Sequence, residues 1–107
     1  MEQTKLNTFI GFAIKARKAK LGVNAVKTLK KAEILILCSS ASENTVKDAV
    51  SLSKKLNAKL YVLNEIKLED VVYKENCKLM AVCDKGLSKA IIECKSSRLQ
   101  EYIGGLL

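Results

Sequence analysis

Apolar positions along this chain follow two periods, one helical and one extended. From residue 4 to 17, Leu6, Phe9, Ile10, Ala13 and Ile14 fall on one helical face, with Thr4 as the N-cap. Gly11 is a cost inside that helix unless another backbone packs closely there. Lys18–Gly22 reads as a loop; a weak strand near Gly22 or elsewhere would complete a sheet. A second helix over 23–31 carries an apolar stripe through Leu29, shared with Val23 and Val26 or with Ala25. Ile34–Cys38 (ILILC) is an unbroken apolar run of strand length, as expected of a strand covered on both faces. After it, Ser40 with Glu43 has capping-box spacing and Ser42 is the alternative N-cap. The helix they open runs to Leu56, with Val46, Ala49, Val50 and Leu52 inward and Asn57 as the C-terminal cap residue.

Lys59–Asn64 and Lys78–Cys83 read as two further strands, with a short helical turn over 67–73 between them. Asp84 caps a helix over 85–95 whose inner face is Leu87, Ala90, Ile91 and Cys94. Leu99, Tyr102 and Ile103 form a short amphipathic end before Gly104–Gly105. Strands alternating with helices imply crossovers, a parallel or mixed sheet, and helices on both of its faces. At 107 residues and 49% hydrophobic content, residues 1–107 are expected to form one domain that folds without disulfide or metal.

Charge sharpens the picture. The formal net charge is +8, and its distribution is uneven. Residues 1–31 hold eight basic residues and one acid, whereas residues 32–107 hold eleven and ten. A concentrated basic surface is the footprint of a polyanion binder; the ordinary alternative is a solvated lysine-rich face. No apolar run approaches the ~18 residues of a membrane span. The apolar stretch near the start precedes its basic cluster, the reverse of a signal peptide. A cytoplasmic protein without membrane attachment is the expectation.

Candidate catalytic chemistry is sparse. The chain has no histidine, which removes the commonest general base and the imidazole partner of a nucleophilic cysteine. Cys38, Cys77, Cys83 and Cys94 form no C-x-x-C pair and are expected to be reduced and structural. The five glycines match neither the dinucleotide-binding nor the phosphate-loop pattern. No catalytic residue, metal or cofactor is expected. Stacking-based RNA readout is also poorly served by five scattered aromatics, Phe9, Phe12, Tyr61, Tyr73 and Tyr102.

One segment offers another mode of recognition. Gly22 lets a second backbone approach where the next helix opens, and Asn24 carries a donor and an acceptor suited to a base edge. Lys18, Lys20, Lys27, Lys30 and Lys31 add charge nearby. The competing explanation is that Gly22 turns the chain and Asn24 caps the helix.

The stretch FIGFAIKARKAKLGVNAVKTLKKAEILILCSSASENT resembles the kink-turn RNA-binding family of ribosomal proteins, the L-seven-Ae/L-thirty-e superfamily, and is closest in pattern to its small bacterial ribosomal-protein-like members. The likeness lies in a helix ending A-R-K, a G-x-N step, K-A-x-x-L-I-L, and the turn A-S-x-N-T. Later, AVCDKGLSKAI matches the last strand and its D-x-G helix, so that residues 6–95 are covered. The resemblance implies an α/β fold, a three-layer α/β/α sandwich with a central four-stranded mixed sheet. It also implies a protein that binds kink-turn or ribosomal RNA and associates with the ribosome; nothing in the sequence demands an oligomer, and a monomer is the expectation.

By the same resemblance, Gly22 is the close-approach glycine and Asn24 reads a guanine edge, with Val23 between them. Val71 and Val72 would cover an extruded nucleotide. Ala25 and Thr28 stand where the stronger binders carry Glu and Lys. Leu68–Lys74 lacks the usual L-G-x-x-x-G-K glycines, and Glu69 and Asp70 bring negative charge there. The alternative is a protein-interaction module on the same fold with weak, non-specific RNA binding. A thiol-dependent or nucleotide-using enzyme is the remote third reading.

Overall fold

The computed structural model describes residues 2–72, 74–94 and 98–102. Five helices and five strands alternate along the described chain: α1 (Glu2–Lys15), β1 (Ala19–Leu21), α2 (Val23–Lys27), β2 (Ile34–Cys38), α3 (Glu43–Leu56), β3 (Lys59–Leu63), α4 (Leu68–Val72), β4 (Leu79–Val82), α5 (Lys85–Glu93) and β5 (Leu99–Glu101). The strands form one mixed sheet in the order β1-β4-β2-β3-β5. It therefore has five strands and not the expected four. The weak strand near Gly22 is β1, on one edge. The supposed amphipathic end contributes β5, on the other edge, where Val62 pairs with Gln100.

β2 and β3 are parallel, with Ile36 opposite Tyr61, and α3 is the crossover between them. β4 runs antiparallel to both β1 and β2. Alternation along the strands sends side chains to two apolar clusters. Ile34, Ile36, Cys38, Met80 and Val82 meet Leu6, Ile10 and Ala13 of α1, Leu68 of α4 and Ile91 of α5. Leu35, Leu37, Leu79 and Ala81 meet Val26 of α2 and Ala49, Leu52 and Leu56 of α3. Every residue of β2 is buried, as its unbroken apolar sequence requires of a strand covered on both faces.

Local chemistry fixes several boundaries. The Ser42 hydroxyl, not that of Ser40, caps α3 by accepting from the Thr45 N–H at 3.2 Å. Asn57 ends α3 in the left-handed region at φ 53°. Asp84 caps α5, its Oδ2 accepting from the Leu87 N–H at 2.8 Å. α1 begins before Thr4, which therefore lies within the helix and not at its cap. Among the described residues, nothing beyond α1's own backbone and the adjoining residues comes within 4 Å of the place a Gly11 Cβ would take, so close packing does not explain that glycine.

α2 stops at Lys27 and does not run on to Lys31. The Thr28 hydroxyl donates back to the Ala25 carbonyl at 2.6 Å, and the chain turns toward the start of β2. Tyr73, Lys95, Ile103 and Gly104–Gly105 lie outside the described residues. All four thiols are free: Cys38 and Cys77 are buried, Cys83 and Cys94 half-buried. Among the described residues no helix is long and apolar enough to cross a membrane.

Candidate functional site

The registers bring the carboxyl ends of β1, β2 and β3 and the start of β4 to one end of the sheet. In such sheets the crevice beyond the carboxyl ends is where ligands are usually met. Gly22 lies there. Its N–H donates to the Leu79 carbonyl at 2.7 Å, extending the β1–β4 ladder by one residue. At φ 92° and ψ 153°, its backbone occupies a region that is glycine's almost alone. The Gly22 carbonyl then accepts from the Val26 N–H at 3.0 Å, which makes Gly22 the N-cap of α2.

Asn24 is therefore not the cap. It sits one residue into α2, exposed, and its carboxamide has no hydrogen-bond partner among the described residues. Buried Val26, on the opposite side of the helix, packs in the cluster beneath α2 and α3. That anchor leaves Asn24 facing outward. With only five residues, α2 contributes little macrodipole.

An open concavity of ≈ 440 Å³ lies against this turn. Gly22, Val23 and Asn24 form one wall, Thr45 of α3 another, and Lys74, Asn76 and Lys78 of the α4–β4 loop the third. Lys78 is held on both sides, with its Nζ 3.0 Å from Glu69 Oε1 and 3.0 Å from Ser40 Oγ. Glu69 Oε2 in turn accepts from the Asn76 N–H at 2.8 Å. The Lys78 hydrogen bond, helped by that N–H, holds the Glu69 carboxyl below its ordinary value. The same contact raises the Lys78 ammonium. Lys74 is exposed and makes no ion pair among the described residues. The concavity is thus polar and braced, but only mildly cationic.

Cys38 lies beneath this network. Burial raises its thiol, but contacts with Ser40 and the Leu68 N–H, with Lys78 nearby, outweigh burial and leave it below the ordinary value. It is buried, at 1% exposed. Among the described residues no group of three or more Cys, Asp and Glu gathers as a metal site.

The remaining residues singled out in the sequence lie elsewhere. Val72 is buried and Val71 packs on the same cluster as α1, so both serve the core and neither lines the concavity. The burial of Leu68 and Val72 sets the rotation of α4 and turns Val71 with them. Lys18 sits at the far end of β1, its carbonyl accepting from the Cys83 N–H at 2.7 Å. Lys20 is exposed in mid-strand, opposite Ala81. Lys27 is exposed at the end of α2, and Lys30 belongs to a separate concavity at the opposite end of the sheet.

Sequence reasoning missed Thr45, Lys74, Asn76 and Lys78. The A-S-x-N-T turn and the polar K-x-N-x-K spacing of 74–78 were visible. What joins them to Gly22 is the position of β4 between β1 and β2, a non-local pairing. Compared with known proteins, the chain matches no family model, and no curated protein matches it.

Proposed function

We propose that this chain is a non-enzymatic RNA-binding protein of the kink-turn superfamily, cytoplasmic and ribosome-associated, in which the Gly22–Asn24 turn reads a bent RNA. One observation carries the reading. A glycine-only backbone turn and an exposed asparagine carboxamide without an internal partner face a polar concavity together with Lys74 and Asn76. A buried or capping asparagine would have been spent inside the protein; this one is available to a base edge. Helices on both faces of a mixed sheet agree with the sandwich that the resemblance implies, with β5 as an added edge strand.

The test is titration of a labelled kink-turn RNA against the same stem with its G·A pairs replaced by Watson–Crick pairs. The wild-type protein should prefer the kink-turn. Asn24→Ala should lose about 1–3 kcal/mol of that preference, roughly 5- to 150-fold. Equal binding of the two RNAs by the wild type would overturn the reading.

A protein-interaction module is the second reading. The Glu69 contact that neutralises Lys78, and the exposure of Phe12 (50%) on α1, favour it. Partners that survive nuclease and high salt in a pull-down would support it.

A further inference from the structure

The basic surplus does not surround the Gly22–Asn24 turn. It collects at the opposite end of the sheet, where β1, β2 and β3 begin. The turn from α1 into β1 brings Lys15, Arg17 and Lys18 there, and the turn from α2 into β2 brings Lys30 and Lys31. The turn from α3 into β3 adds Lys54, Lys55 and Lys59. All eight are exposed, and none is ion-paired among the described residues. Three acids stand nearby. Asp84 is engaged in capping α5, half-buried Glu33 lies in the turn leading to β2, and exposed Glu101 ends β5 beside the first half of β3.

The carboxyl end is different. Glu43, Glu65, Glu69, Asp70 and Glu75 offset Lys67, Lys74, Lys78 and Arg98 in its loops and adjoining helical turns. Glu69 and Glu65 are paired with Lys78 and Arg98. Cations without an ion pair are thus denser at the amino end, whereas the carboxyl end has Lys67 and Lys74 among more numerous acids.

Complementing helix dipoles explains only part of this. Lysines in a last helical turn are stabilising, which accounts for Lys15, Lys54 and Lys55. It does not account for Arg17, Lys18, Lys30, Lys31 and Lys59, which lie outside the helices. Their mutual repulsion is a cost to the free protein that an anionic partner would relieve.

We propose that this amino-end surface is a docking site for the phosphate backbone of an RNA duplex, separate from the concavity at Gly22. The contributing turns span β1-β4-β2-β3, three strand spacings, or about 14 Å. That is too wide for one small anion and suits several phosphates. Lys30, Lys31, Lys55 and Asn57, with Glu33 as the one acid, border an open concavity of ≈ 500 Å³ within it. The turns at 16–18, 28–33 and 57–58 contain no aromatic residue, so they offer no platform for unstacked bases. Their larger apolar residues, Leu29 and neighbouring Leu56, are turned inward, so they offer no anchor for a lipid surface. Charge and hydrogen bonding to a backbone are what remain, which gives affinity without sequence readout. The inference rests on the proposed function only for the kind of polyanion; it needs no base contact at Asn24.

The experiment uses a plain A-form RNA duplex without G·A pairs, titrated over a series of salt concentrations. The triple variant Lys30→Ala/Lys31→Ala/Lys55→Ala is compared with wild type and with Lys5→Ala/Lys47→Ala/Lys89→Ala. The second triple removes the same charge from exposed positions outside the three turns. Each phosphate-contacting lysine contributes about one unit to the slope of log K against log salt. The first triple should lower that slope by about 2 to 3 units and weaken low-salt binding tenfold or more, while the control changes both far less. Arginine at the same three positions should restore binding.

Failure of the wild type to bind the duplex at low salt, or an equal loss in both triples, would overturn the proposal. An unchanged slope in the first triple would also overturn it, and would leave an acidic protein as the occupant of this surface. The two readings separate cleanly. Loss of kink-turn preference with this slope intact counts only against the Gly22–Asn24 site.

Discussion

Replacing Gly22 with alanine isolates the strain of one backbone conformation. At φ 92° and ψ 153°, an L side chain is disfavoured by about 1–3 kcal/mol. Among the described residues, nothing beyond the adjoining two lies within 4 Å of the added Cβ, so no steric clash adds to that figure. Restricting the unfolded chain returns about 0.4–1 kcal/mol. Taking the middle of each range, the net loss should be about 1.3 kcal/mol. For a domain of this size that is a fall of about 5–10 °C in Tm. Gly11→Ala is the matched control. It too meets nothing within 4 Å, but it lies inside α1, where alanine is favoured over glycine by about 0.5–1 kcal/mol. The same chemical change should therefore stabilise at 11 and destabilise at 22. Urea unfolding at equilibrium, with the m-value unchanged, measures both. A Gly22→Ala protein within about 0.5 kcal/mol of wild type, the range of ordinary surface changes, would refute the argument that this turn demands glycine.

Two other outcomes follow from single contacts. Asp84→Ala removes the acceptor for the Leu87 N–H and should cost about 0.5–2 kcal/mol, read by the same urea titration, with Asp84→Ser recovering most of it. The Glu69–Lys78 contact predicts an acid-side pH dependence. Because the carboxyl is held below its ordinary value, the folded state binds that proton more weakly than the unfolded chain. The stability it contributes is complete above the ordinary carboxylate range and is lost as pH falls through the lowered folded value. The stability difference between wild type and Glu69→Gln should accordingly shrink as pH falls from neutral to about 3. A difference independent of pH would contradict the pairing.

Much of the architecture follows from local pattern. Ile34–Cys38 has no polar position to turn toward water, so a strand buried on both faces, and helices on either side of it, follow from those five residues alone. Ser42, Asn57 and Asp84 announce helix ends through hydrogen bonds within a few residues, which sequence spacing records. β1 and β5 were harder to read. Three residues carry too little alternation to reveal a strand, and both exist because an edge of the sheet accepts their backbone groups.

The candidate site divides in the same way. Gly22 and Asn24 belong to one local step, G-x-N, and the sequence is sufficient to single them out. That Asn24 is free, and not a cap, was decided by Gly22 taking the cap position as its N–H joined Leu79. Thr45, Lys74 and Asn76 reach the same concavity only because β4 inserts between β1 and β2. Charge shows the division most clearly. Composition determines a surplus of +8, and the chain order places most of it in the first third. Only the tertiary structure decides that Lys15, Arg17, Lys18, Lys30 and Lys31 gather with Lys54, Lys55 and Lys59 at one end of the sheet. Each helix that precedes a parallel strand must end where that strand begins, and the basic residues lie in those returns.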